Sequence, residues 1–196
     1  MSALKLVKLN NNKIEYLTKK VFEKNVLLEE IDLSYNQLGY TDARGINGAD
    51  LQKKKLIHKD AFAKNINCKK LLLNNNYIKE LKPETFLNMK SLVEVNLDHN
   101  NIVDLDANLF AGNPELKFVF MRYNGIKTVP AFDANTQLKI AYLSHNMIES
   151  LNLSNLEHLK RVDVGDNTFT ELNDNALVRF DYNCPVLICY IVWFNW

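Results

Sequence analysis

The sequence predicts an α/β solenoid: a curved, horseshoe-like stack of short parallel strands forming a sheet on the concave face, with irregular or 3-10 return segments on the convex face. Three observations carry that expectation. The pattern LxxLxLxxNxL recurs seven times, with copies beginning at Leu4, Leu28, Cys68, Leu92, Leu116, Leu138 and Leu159. Three intervals between starts are 24 residues and the last two are 22 and 21. Only six glycines and four prolines are present, so asparagine has to carry the turn chemistry. A single copy cannot bury its apolar face, and neighbouring copies must therefore stack into a one-dimensional core.

Side chains alternate across a strand, so the fourth and sixth places of each copy point inward while the third, fifth and seventh face solvent on the concave side. The first copy sets out Lys8, Asn10 and Asn11, and the second Asp32, Ser34 and Tyr35. The step from Leu28 to Cys68 is 40 residues, a repeat plus an insertion. Counting back from Phe62 puts Ile57 at the fourteenth place and leaves sixteen extra residues after Leu38. The insertion at 39–56 within the second copy is expected to loop off the edge or the convex side. It reads either as a plain loop or as one whose Lys53–Lys55 cluster meets an acidic patch. Cys68, opening the third copy, reads as a buried thiol in the place of leucine. The fourth copy presents Asn96, Asp98 and His99.

The fifth copy, "KFVFMRYNGI", splits under the same rule: Val119 and Met121 turn inward, while Phe118, Phe120 and Arg122 face out with Tyr123 at the strand's end. Ile140, Tyr142 and His145 of the sixth copy come alongside at about 5 Å, the normal strand spacing. The seventh returns to charge with Arg161, Asp163 and Asp166. "CPVLIC" at 184–189 fits the start of a partial eighth copy (184–196), although Val192 stands where asparagine is expected. Residues 1–196 therefore read as one solenoid, with no polar cap evident at either end and Cys184 and Cys189 in the core. Uncapped ends read either as a truncated or alternatively ended product or as ends covered by a partner or a second copy.

The phenylalanine five residues after leucine in "LTKKVF", "LKPETF" and "LDANLF" (Phe22, Phe86 and Phe110), set behind the repeat, gives the chain its resemblance to the leucine-rich repeat family. It resembles the 24-residue subclass common in animal extracellular proteins, such as Toll-like receptor ectodomains, insect leucine-rich immune proteins and adhesion proteins of the nervous system. That resemblance implies a ladder made by Asn12, Asn36, Asn76, Asn100, Asn124, Asn146 and Asn167. It also implies a recognition role in immunity or adhesion. Extracellular members usually close with a cysteine-rich cap, which Cys184 and Cys189 do not match.

Net charge is +1, with 47% apolar and 24% charged residues, which argues for a folded chain and against a nucleic-acid or anionic-membrane partner. No apolar run is long enough for a transmembrane helix. No GxSxG, HExxH or phosphate-cradling glycine loop occurs, and Ser144-His145 lacks a placed acid, so no enzyme, cofactor or metal is expected. The expected ligand surface is Asp98, His99, Phe118, Phe120, Arg122, Tyr123, Ile140, Tyr142 and His145, since rigid rings beside an arginine make an interface centre. The alternative is that the rings only cover one another as cross-strand pairs. A protein ligand is expected, with a glycan or lipid as the other options. A sequon at Asn152 offers a glycosylation site and agrees with secretion. The absence of a signal peptide after Met1 keeps open a second reading, a cytosolic scaffold or regulatory subunit; a third is a structural spacer within a longer receptor.

Overall fold

In the computed structural model, residues 3–40, 57–153 and 155–170 are described. Most of the insertion, the cysteines at 184 and 189 and the partial eighth copy lie outside them. Seven three-residue strands form one parallel sheet in sequence order: β1 (Leu6–Lys8), β2 (Glu30–Asp32), β3 (Lys70–Leu72), β4 (Glu94–Asn96), β5 (Phe118–Phe120), β6 (Ile140–Tyr142) and β7 (Arg161–Asp163). The pairing is in register from copy to copy, with Ile31, Leu71, Val95, Val119 and Ala141 side by side. All five are fully buried. The strands stop at three residues because the chain must turn back to stack the next copy. Among the described residues the return segments are irregular turns, with one four-residue helical turn, α1 (Glu84–Leu87), in the third copy.

The first-place residues Leu28, Cys68, Leu92, Leu116 and Leu138 are completely buried, as are the sixth-place Leu33, Leu73, Leu97, Met121 and Leu143. Cys68 thus occupies the leucine place as expected. Burial pushes its thiol up to about 12, because a thiolate would lose its hydration there.

The turn out of each strand is closed by the asparagine ladder. Asn100 Oδ1 accepts from the Ile78 backbone N–H of the preceding copy (3.0 Å), and its Nδ2 donates to Leu73 O (3.0 Å) and Leu97 O (3.1 Å). Asn36, Asn76, Asn124, Asn146 and Asn167 repeat the arrangement, each accepting from one backbone N–H two places after the preceding asparagine. Among the described residues, Asn12 bonds only carbonyls of its own copy, Leu9 O and Asn10 O. Few groups other than an amide could serve, since the place needs a donor and an acceptor on one short side chain.

Two further devices hold the convex side. Phenylalanines stack as a spine, Phe22 on Phe62 (5.9 Å), Phe86 on Phe110 (5.8 Å) and Phe110 on Phe132 (6.0 Å). Three residues beyond the spine position runs a second row of buried asparagines. Asn113 Nδ2 donates to Phe86 O and Met89 O (2.9 and 3.0 Å), and Asn135 Nδ2 to Phe110 O and Asn113 O (3.0 and 2.8 Å). Asn65 does the same toward Phe22 O and Asn25 O. The shorter copies lose residues ahead of the spine: Phe132 comes three residues after Val129 instead of five, and Leu153 takes the ring's place in the copy after.

Candidate functional site

The solvent-facing side of the sheet differs from end to end. Toward β1 it carries charge that is internally balanced. Lys5 Nζ reaches Glu29 Oε1 at 2.9 Å, Lys69 Nζ reaches Glu29 Oε2 at 2.7 Å, and Lys70 pairs with Glu94 at 3.0 Å. The hydrogen bonds from Lys69 and then Lys5 hold the Glu29 carboxyl down at about 2.

Over β5 and β6 the surface turns aromatic. Phe118, Phe120, Ile140 and Tyr142 are all half-buried, with Phe118 paired to Ile140 and Phe120 to Tyr142 by strand register. The Phe120 and Tyr142 rings meet edge to face, 5.5 Å apart at 65°. The Arg122 guanidinium lies 5.1 Å from the Tyr142 ring centroid, on its face, a cation–π placement.

Arg122 is not an unengaged donor awaiting a ligand. Its Nε and Nη2 donate to Asp98 Oδ2 at 3.0 and 2.7 Å, and its backbone N–H donates to Asp98 Oδ1 at 2.7 Å. Asp98 is buried, with 4% of its surface exposed, so it is a brace beneath Arg122 and not the open carboxylate expected of a ligand contact. The Asp98 hydrogen bonds push the guanidinium further up from its already high value. What Arg122 offers outward is the remaining edge of a fixed, planar cation.

His99, Tyr123 and His145 form a second feature. Each lies one place before a ladder asparagine, and every such residue, Asn11, Tyr35, Asn75, His99, Tyr123, His145 and Asp166, has a positive φ of 51–57°. This left-handed turn swings the side chain to the rim of the sheet, one per copy. The His99 and Tyr123 rings stack at 4.3 Å, and Tyr123 and His145 at 4.1 Å. His145 Nδ1 lies 3.1 Å from Asp166 Oδ2. The two histidines are therefore separated by the Tyr123 ring, and no cluster of three or more metal-ligating side chains occurs among the described residues. The sequence carried one signal of this turn: asparagine or aspartate, which tolerate positive φ, stand at the equivalent place in three copies.

Beyond β6, Asp163 is taken up internally, accepting from Ser144 Oγ at 2.7 Å and from the Gly165 N–H at 3.2 Å. Asn152 is exposed on the return segment of the sixth copy, while Ser154 of its sequon lies outside the described residues. No helix among those residues is long and apolar enough to cross a membrane.

The family model for leucine rich repeats matches residues 66–126, the third and fourth copies together with β5. Human mimecan is 30% identical over 138 residues, which cover 64% of this chain and 45% of that protein. Mouse prolargin is 40% identical over 79 residues, covering 40% of this chain and 20% of prolargin. The chain thus spans less than half the length of these relatives. Among solved structures, the leucine-rich repeat domain of APL1 superposes with a TM-score of 0.69 at 20% identity, over 88% of this chain and 47% of that one. Taken with the seven in-register strands and their asparagine ladder, these matches show a leucine-rich repeat fold and a similarity to leucine-rich repeat proteins.

Proposed function

We propose that the chain is a non-catalytic recognition module that holds a protein partner against the aromatic surface of β5 and β6, in an extracellular setting. The observation that carries this reading is the half-buried group Phe118, Phe120, Ile140 and Tyr142. It borders Arg122, held rigid by Asp98, and its rings are already ordered by one another. Ordered rings cost little further conformational entropy on binding, and a fixed arginine adds direction. The polar, internally neutralised surface around β1 to β4 would serve as rim. The extracellular setting is supported by relatives that are secreted matrix proteoglycans.

The test replaces Phe118, Phe120 and Tyr142 together by serine. Comparing pull-downs from native extracellular fluid with wild-type and substituted protein, we expect the main bound species to drop out while circular dichroism stays unchanged. An unaltered set of bound proteins would defeat the reading. Secretion is checked separately: the natural protein should lose mass on enzymatic removal of N-glycans, with the glycan mapped to Asn152. An unglycosylated, cytosolic protein would refute the extracellular setting.

A further inference from the structure

The residue immediately before each strand stands beside its counterpart in the next copy. At the β1 end this row is Lys5, Glu29 and Lys69, and the structure shows how close the side chains come, since Glu29 bonds both lysines at 2.9 and 2.7 Å. Val93 follows, and then the row reads Lys117, Lys139 and Lys160. These three are held in sequence by the backbone: Lys139 N–H donates to Lys117 O at 2.9 Å, and Lys160 N–H to Lys139 O at 2.8 Å. Arg161, exposed at the start of β7, adjoins them. None of the four makes an ion pair among the described residues, although the same row carries its own counter-charge, Glu29, three copies before Lys117. Like charges at strand spacing repel one another, so an anion spanning them would relieve a cost built into the fold.

The row does not stand alone. Phe118, Ile140 and Arg161 are the next residues along the chain, paired across β5, β6 and β7. A basic line therefore runs across the strands immediately beside a line that is apolar at Phe118 and Ile140 and basic again at Arg161. Both lines follow the solenoid axis, the direction in which an extended segment would lie to meet several copies at once.

From this juxtaposition we infer that the ligand is an acidic, amphipathic protein segment lying across β5 to β7. Its carboxylates sit on Lys117, Lys139, Lys160 and Arg161, and its apolar side chains on Phe118, Ile140 and Tyr142. A polyanionic glycan would use the basic row but would leave the aliphatic Ile140 surface without a matching group. The inference rests on the proposed recognition role of the same face and names the chemistry of its partner.

The probe is a short fluorescent peptide that alternates glutamate with leucine and phenylalanine, titrated into the purified chain by polarisation. We expect saturable binding that weakens as salt rises to about 0.5 M, and little binding of the same peptide with glutamine for glutamate. The triple variant Lys117→Gln, Lys139→Gln, Lys160→Gln should bind about 10-fold more weakly, since each exposed ion pair contributes little by itself. The control Lys20→Gln, Lys24→Gln, Lys64→Gln, on the return segments, removes equal charge and should bind as the wild type does. Equal binding of both peptides, equal loss in both triple variants, or no binding of the acidic peptide overturns the inference. So does tight binding of a sulfated oligosaccharide in place of the peptide. If the lysine variant keeps its natural partner in the pull-down while the serine variant loses it, the acidic-segment inference fails and the recognition face stands. If the serine variant keeps that partner, the face itself is misassigned.

Discussion

At the scale of single residues, each ladder asparagine within the stack satisfies several backbone groups of two neighbouring copies. Replacing Asn100 by alanine removes the acceptor of the Ile78 N–H and one of two ladder donors from each of Leu73 O and Leu97 O, which keep Asn76 and Asn124. Ile78 is buried, and an unsatisfied buried polar group costs about 1–3 kcal/mol. We expect Asn100→Ala to lower unfolding free energy by about 3 kcal/mol in urea titration, and Asn12→Ala, whose bonds are exposed and local, by well under half of that. Cys68 permits a second expectation. Its thiol, fully buried and raised to about 12, should resist alkylation in the native protein and react once denatured, as read by peptide mass mapping. The unfolded thiol ionises near ~8.5, so the unfolded chain sheds its proton first and the Cys68 contribution to stability declines as pH rises above that value. Glu29 acts at the other end of the scale: its contribution is complete above the ordinary carboxylate value and is lost as pH falls toward 2.

At the scale of elements, each strand is too short to persist by itself, and order comes from what backs it. Phe110 is stacked on Phe86 on one side and on Phe132 on the other, so it links the spines of three successive copies. Phe110→Ala should cost about 3–5 kcal/mol, the usual range for a buried ring, and thermal unfolding should broaden as the two halves of the stack lose coupling. Gly112 is a related weak point, because a Cβ there would meet the Leu87 backbone, with Leu87 Cα only 2.7 Å away. The repeat spacing located the spine wherever the phenylalanine follows its leucine by five residues. It did not indicate Phe132 or Leu153, because the shortened copies delete residues ahead of the spine while keeping the six-residue distance to the next start.

At the scale of the whole molecule, stability is a chain of nearest-neighbour interfaces, and the middle copies have neighbours of full size on both sides. Leu71, Val95 and Val119 are wholly buried, whereas Val7 in β1 and Val162 in β7 are only half-buried. Native-state hydrogen exchange should therefore show the slowest amides in β3 to β5 and progressively faster ones toward β1 and β7. Uniform protection across the seven strands would contradict a one-dimensional stack. The aromatic surface of β5 and β6 adjoins the best-protected part, a suitable base for a rigid recognition face.

The sequence by itself determined the solenoid, its strands and its register, because an alternating apolar pattern repeated at near-constant period has one way to bury its leucines. It also determined that Phe118, Phe120 and Arg122 leave the core while Val119 and Met121 enter it. Only the tertiary structure decided what those outward groups do with one another. Arg122 and Asp98 are 24 residues apart in sequence, and His99, Tyr123 and His145 lie on three different copies. Their contacts are made across strands, where the separation is set by backbone pairing and by a left-handed turn that no single residue type demands. A pattern read along the chain shows which way a side chain points; only the stacking of copies shows whether its neighbour has already claimed it.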